Sequence, residues 1–182
     1  MTLDLTILHG VHDALTGPFL DFLMPKITAL GNGGAIWLLA AGCLLCTKKY
    51  RRQGVLLLGG LAVGVLVGNA FLKNVIARPR PCWGENVPLL IANPTDYSFP
   101  SGHTLSSAIG ATILTKTDRR FGYAAIPLAA LIAFSRLYLY VHWPSDVLAG
   151  ALLGILIGNL TFRRGRRGLD RLWPVREKER TK

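Results

Sequence analysis

Five apolar runs, separated by short clusters of charge, constrain this chain more than anything else in its sequence. They cover residues 34–46, 54–72, 101–114, 121–140 and 144–162. A helix that crosses a bilayer needs about 20 apolar residues, with a range near 17–25. The second, fourth and fifth runs meet that length. The runs at 34–46 and 101–114 are short, and need flanking polar residues to complete a crossing. Residues 5–30 are apolar but interrupted by Asp13, Pro18, Asp21 and Pro25. That stretch reads as an interfacial helix followed by a short or broken sixth span, the alternative being a purely interfacial segment. The expected fold class is all-α: a polytopic transmembrane helical bundle of about six spans.

Composition agrees. Charged residues make up 17% of the 182-residue chain and hydrophobic residues 51%, where a soluble domain carries about 25% charged residues. One domain fits this length. The net charge of +11 comes mostly from the tail at 163–182. A basic tail following an apolar run reads as an anchor on anionic lipid and not as a nucleic-acid site. The chain therefore divides into a membrane-embedded domain, 1–162, and a basic cytoplasmic tail, 163–182. Cys43 and Cys46 form a C-x-x-C inside an apolar run, which reads as helix lining; Cys82 stands alone, and no disulfide framework is implied. The first 17 residues lack a basic start and a sustained apolar core, so no cleaved signal peptide is expected.

With six spans and a cytoplasmic N-terminus, the inside loops 47–53 and 116–120 hold four and three basic residues, and the inside tail nine. The outside keeps Lys26, Lys73, Arg78, Arg80 and Arg136. This is a strong positive-inside asymmetry. The longest loop, 78–100, falls on the outer side and holds five of the ten prolines, with Trp83, Tyr97 and Phe99 suited to the headgroup level. Gly60, Gly64 and Gly68 form one helical stripe, and Gly150, Gly154 and Gly158 another. Small residues at this spacing let helix backbones approach closely, and the two stripes are expected to face each other. Such stripes pack helices within a chain or between chains, and leave the oligomeric state open.

Three motifs carry candidate chemistry: Lys73-x6-Arg80-Pro81, Pro100-Ser101-Gly102-His103, and Ser135-Arg136-x5-His142-x3-Asp146. Each is weak alone, since a Lys near a helix end snorkels and a Ser-Gly-His opens many helices. The topology puts all three on the outer face at one depth. Lys73, Arg80 and Arg136 are then three cations suited to a phosphoryl group. Ser101 and Gly102 read as a helix N-terminus, where free N–H groups bind anions and where Ser101 also serves as a plain cap. Asp146 lies four residues beyond His142, on one helical face, placed to fix the tautomer of a neutral imidazole. Pro144 suits a first helical turn, which sets His142 just before it. No acidic cluster suited to Mg²⁺ is visible on the outer side. Three cations can replace the metal, and no cofactor is expected. His9 and His12 read as surface residues of the N-terminal segment, and Asn69 and Asp21 as polar groups facing the protein interior.

These motifs resemble those of the type 2 phosphatidic acid phosphatase superfamily, the lipid phosphate phosphatases, in the membrane branch and a short bacterial form. The resemblance spans Lys73 to Asp146 with no departure at the key positions. It implies a metal-independent phosphatase in which His142 forms a phosphohistidine, Asp146 orients it, and His103 protonates the leaving oxygen and then activates water. It implies Lys73, Arg80, Ser101, Gly102 and Arg136 as phosphate-binding residues, a lipid phosphate or diphosphate as substrate (undecaprenyl diphosphate or phosphatidylglycerophosphate), membrane lipids as surroundings, and no nucleic-acid partner. The alternatives are a phosphotransferase passing phosphate to another acceptor and, more remotely, a non-catalytic membrane anion-binding or transport protein. A vanadium haloperoxidase fits poorly in so small a membrane chain.

Overall fold

The apolar runs all form helices. The computed structural model describes residues 3–85 and 87–172. Among them lie α1 (Leu3–Leu15), α2 (Pro18–Leu30), α3 (Ala35–Cys46), α4 (Arg51–Gly64), α5 (Lys73–Ile76), α6 (Pro81–Gly84), α7 (Gly102–Thr117), α8 (Arg119–Tyr138), α9 (Pro144–Leu160) and α10 (Arg166–Leu172). Wider-wound helical stretches, Val65–Leu72 and Thr161–Gly165, join α4 to α5 and α9 to α10. Local chemistry sets several boundaries. Pro18, Pro81 and Pro144 open α2, α6 and α9, where a missing N–H costs nothing. The Asp118 side chain caps α8 by accepting from the Arg120 N–H. Between α2 and α3, Gly33 and Gly34 take positive φ of 58° and 74°, a left-handed geometry that glycine adopts without strain.

Three of these helical stretches, Arg51–Gly84, Arg119–Tyr138 and Pro144–Leu169, are long and apolar enough to cross a membrane. A fourth arises only if α2 and α3 are taken as one path bent by 45°. Length and composition among the described residues do not give six spans. At 1.5 Å per residue α2 and α3 are each about 20 Å long, short of a hydrocarbon core of about 30 Å. Alone neither reaches across it, and the 45° bend between them is that of a broken span or a re-entrant loop.

Tyr50 donates to Asp118 at 3.2 Å, Lys116 lies over the Phe162 ring, and Gly165 abuts Leu56. The basic stretches 47–53 and 116–120 and the beginning of the tail therefore share one end of the bundle. Asp4, on α1, instead bonds Arg78 and Ser145 at the opposite end, the end that holds His142. Helix α1 and the start of the tail thus lie at opposite ends of α9, where both termini were expected on one side. The tail expected at 163–182 is helical as far as Leu172, and its last ten residues lie outside the described part.

The glycine stripes do not meet each other, because α7 lies between them. A Cβ on Gly60 or Gly64 would come within 3.0 Å of Ile109, and one on Gly68 would strike Leu105. A Cβ on Gly154 would reach Ala108 and the Leu105 carbonyl, both at 2.6 Å, and one on Gly150 the Ser101 carbonyl at 2.8 Å. Helix α7 is rich in Ser, Thr, Ala and Gly, and is thin enough to be gripped on both sides. Its small residues press backbone to backbone on α9, while Leu105, Ile109 and Ile113 fill the groove of α4. Trp37 packs over Gly110 and donates to Ser107 at 3.0 Å. Outside this core, Leu66, Phe71, Tyr123, Leu148 and Leu152 are exposed, an apolar exterior fit for lipid.

Candidate active site

At the Asp4 end of the bundle, four buried polar side chains converge on one cavity of about 930 Å³. Lys73 comes from the start of α5, Arg80 from the turn before α6, Arg136 from the end of α8, and His142 from the linker between α8 and α9. Their exposures are 8%, 3%, 4% and 1%. His103, in the first turn of α7, lines the same cavity, as does Gly102. Ser101 does not line it. It is the buried cap of α7, its hydroxyl oxygen accepting from the Thr104 N–H, and its own N–H donates to the Asp146 carbonyl at 3.2 Å. A Cβ on Gly102 would sit 2.9 Å from Asn69 Oδ1, so glycine here admits the Asn69 amide, which also faces the cavity.

His142 is held in one tautomer. Arg80 Nη1 donates toward His142 Nε2 at 3.1 Å, which leaves the lone pair on Nε2 and the proton on Nδ1. Nδ1 faces Asp146 Oδ2 at 3.6 Å. Burial pushes the imidazole down to about 3, and the charges of Arg80 and Arg136 add to this against the upward pull of Asp146. The ring is therefore neutral at ordinary pH, and it lines the cavity with its unprotonated Nε2 shared with Arg80. His103 Nε2 lies 2.9 Å from Asn32 Oδ1, an arrangement in which the ring N–H donates to the amide oxygen.

Asp146 is fully buried and richly bonded. Its Oδ2 accepts from the Ser98 hydroxyl and from the Trp143 N–H at 2.9 Å, the latter bond being the N-terminal cap of α9. Its Oδ1 accepts from Arg78 Nη1 at 2.7 Å. Arg78 Nη2 pairs in turn with Asp4 Oδ2 at 2.7 Å, and Asp4 takes the Ser145 N–H at 2.9 Å. A carboxylate on α1 thus reaches, through one guanidinium, the carboxylate behind His142.

The cations differ in how they are satisfied. Lys73 donates to Asp96 Oδ2, and Arg80 Nη2 to Asp96 Oδ1 at 2.7 Å. Burial works to raise the Asp96 carboxyl, but Lys73 and Arg80 outweigh it and hold the group down at about 2. Arg80 also donates from Nε to the Asp96 carbonyl at 2.7 Å and from Nη1 to the Val141 carbonyl at 2.6 Å. Arg136 has less: Nη1 donates to Thr28 Oγ1 at 2.6 Å, while Nε is buried with no partner among the described residues. Among those residues, no three His, Cys, Asp or Glu side chains group as metal ligands.

Sequence reasoning missed Asp4, Thr28, Asn32, Arg78, Asp96 and Ser98. Arg78 had a signal, as a further cation on the same face as the motifs. Asp96 and Ser98 sit in the loop just before Pro100, where only three-dimensional proximity marks them. His9 and His12, expected to be surface residues, pack their rings against Tyr140 at 6.3 and 5.9 Å, one residue from Val141.

Residues 53–168 match the model of the PAP2 superfamily, and the chain belongs to that family. An undecaprenyl-diphosphatase of Sulfolobus acidocaldarius is 38% identical over 130 residues, 70% of this chain and 63% of that protein. The undecaprenyl-diphosphatase BcrC of Bacillus subtilis is 33% identical over 158 residues, 86% of this chain and 79% of its own length. Among solved structures, a transmembrane PAP2-type phosphatidylglycerolphosphate phosphatase from Bacillus subtilis superimposes with a TM-score of 0.74 at 28% identity, covering 90% of this chain and 85% of its own. Long apolar helices and membrane relatives together make this a membrane protein.

Proposed function

We propose that this chain hydrolyses a lipid phosphate or diphosphate through a phosphohistidine on His142. The observation that carries the reading is Arg136. A guanidinium buried to this depth, with one neutral partner and an unpaired Nε among the described residues, costs more than the roughly 1–3 kcal/mol of an ordinary unmet donor. A phosphoryl oxygen is the natural acceptor for it. Lys73, Arg80 and Arg136 would spread over the equatorial oxygens, the work a metal ion does in other phosphoryl-transfer sites.

In the first step His142 Nε2 bonds to phosphorus while the bond to the leaving oxygen breaks, and that oxygen takes a proton from His103. Asp146 balances the charge that develops on the His142 ring. In the second step water attacks the phosphohistidine, His103 takes its proton, and orthophosphate leaves with Nε2 restored as a lone pair. The apolar walls of the cavity favour a lipid. It runs from the cations to Leu38, Leu58, Leu61, Ala62 and Val65 on and beside α3 and α4. Fifteen residues separate Leu58 from Lys73, about 22 Å along the helix, a path fit for an acyl or prenyl chain.

The relatives' names favour undecaprenyl diphosphate or phosphatidylglycerophosphate as the substrate. We place the basic end, with 47–53 and 116–120, in the cytoplasm on the positive-inside rule. The site then faces the outer interface, with α1 beside it. Helix α7 would add a fifth crossing to α2–α3, α4–α5, α8 and α9–α10.

The test is phosphate release from a panel of lipid phosphates and diphosphates in detergent with EDTA, using the native chain, His142→Ala and His103→Ala. Release by the native chain alone is expected. Native-level release by His142→Ala overturns the mechanism, and strict need for a divalent metal overturns the site chemistry.

A further inference from the structure

The donors of Arg80 are fully committed within the protein. Nε serves the Asp96 carbonyl, Nη2 serves Asp96 Oδ1 and, at 3.4 Å, the Tyr97 carbonyl, and Nη1 serves Val141 and His142 Nε2. Lys73 donates to the second oxygen of the same Asp96 carboxylate. One carboxylate thus bridges two of the three cations with two oxygens, as two oxygens of a phosphoryl group would. The backbone contacts of Arg80 fix its fork in place whether or not the carboxylate stays. The Asp96 side chain itself is 56% exposed, and Pro94 and Thr95 beside it line the cavity. The carboxylate therefore has room to turn out into water while the guanidinium remains.

We propose that Asp96 is a built-in competitor for the phosphate site: it neutralises Lys73 and Arg80 between turnovers, yields them to the incoming phosphoryl group, and returns to drive orthophosphate out. This rests on the reading that Lys73 and Arg80 hold the substrate phosphate. Two buried cations side by side repel, and a mobile carboxylate keeps both in register without a permanent ligand. A product dianion left on three cations would otherwise dissociate slowly, since charge-assisted bonds to phosphate are among the strongest a side chain makes. Asp96 sets phosphate affinity and release; it transfers no proton and forms no bond to phosphorus.

The experiment measures orthophosphate binding by calorimetry in detergent, in a His142→Ala background that cannot turn over. That background is compared with His142→Ala combined with Asp96→Asn or with Asp96→Ser, two neutral replacements of different shape. Inhibition of lipid phosphate turnover by orthophosphate is measured in parallel with His142 intact. Both replacements should bind orthophosphate on the order of tenfold tighter, with an equal fall in the inhibition constant and a lower KM. Affinity unchanged within twofold, or weaker, in the folded variants overturns the proposal and leaves the phosphatase reading intact. If no protein binds orthophosphate and none releases it from a lipid, both fall together. Tighter binding without any lipid turnover upholds the role of Asp96 and removes the phosphatase reading.

Discussion

Arg78 is the residue whose loss should separate positioning from binding. It lies outside the cavity lining, yet its Nη1 holds Asp146 Oδ1 at 2.7 Å. In Arg78→Met, Asp146 keeps the Ser98 hydroxyl and the Trp143 N–H on Oδ2 and loses its charged partner on Oδ1. Breaking a buried pair costs about 3–5 kcal/mol. Arg78 is 29% exposed, so water recovers part of that, and about 2 kcal/mol remains. If Asp146 acts by orienting His142 and balancing its charge in the transition state, that loss falls on the chemical step: kcat drops roughly 30-fold. KM, which reports the three cations, should move less than threefold. Arg78→Lys, which keeps the charge but not the fork, should recover only part of the rate. Asp4→Asn, one link further out, should lose roughly threefold in kcat, since Ser145 remains on Arg78. The assay is steady-state orthophosphate release in detergent, with thermal unfolding of each variant as a folding control. A well-folded Arg78→Met whose kcat stays within twofold of the native chain refutes the coupling.

Three further outcomes can be checked. His142 is depressed to about 3 by burial, so between its unfolded value near 6.5 and 3 the unfolded chain binds more protons. Stability should then fall as pH drops through that window, and His142→Asn should show a smaller loss in midpoint between pH 7 and pH 4; equal losses would contradict the depressed value. Gly154→Leu should destabilise by about 1–3 kcal/mol through overpacking against α7, whereas Gly59→Leu, with nothing within 4 Å of its Cβ, should be near neutral in thermal unfolding. Asn32→Leu removes the side-chain bond to His103, and kcat should fall roughly 3- to 10-fold, the worth of about one hydrogen bond, with little change in orthophosphate affinity.

The helices, the motif residues and their grouping at one end were legible because each leaves a local mark. Apolar length marks a crossing, Pro144 and Ser101 mark helix starts, and the spacing marks Asp146 as a partner of His142, although His142 sits in the linker before α9 and not on its face. What sequence could not reach is whatever depends on which surfaces meet. Two glycine stripes announce close packing but not the partner, and α7, rich in small residues, took both. The path through α2 and α3 hinges on a bend at Gly33 and Gly34, and a bend cannot be told from a reversal by composition. Asp96, Ser98 and Asp4 are ordinary loop or helix-end residues until the fold brings them to Lys73, Arg80, Asp146 and Arg78. The supports of the site come from long-range contacts, while its motif residues come from short-range pattern.

The central claim is that His142 is the nucleophile, and trapping the intermediate tests it most directly. A phosphate ester with an activated leaving group needs little acid assistance, so His103→Ala should still be phosphorylated but hydrolyse slowly. Quenched after labelling with ³²P, that variant should carry about one phosphate per chain, stable to alkali and lost in acid, on the peptide holding His142. The His103→Ala/His142→Ala double variant should carry none. Label retained in the double variant, or found on any residue other than His142, would contradict the account.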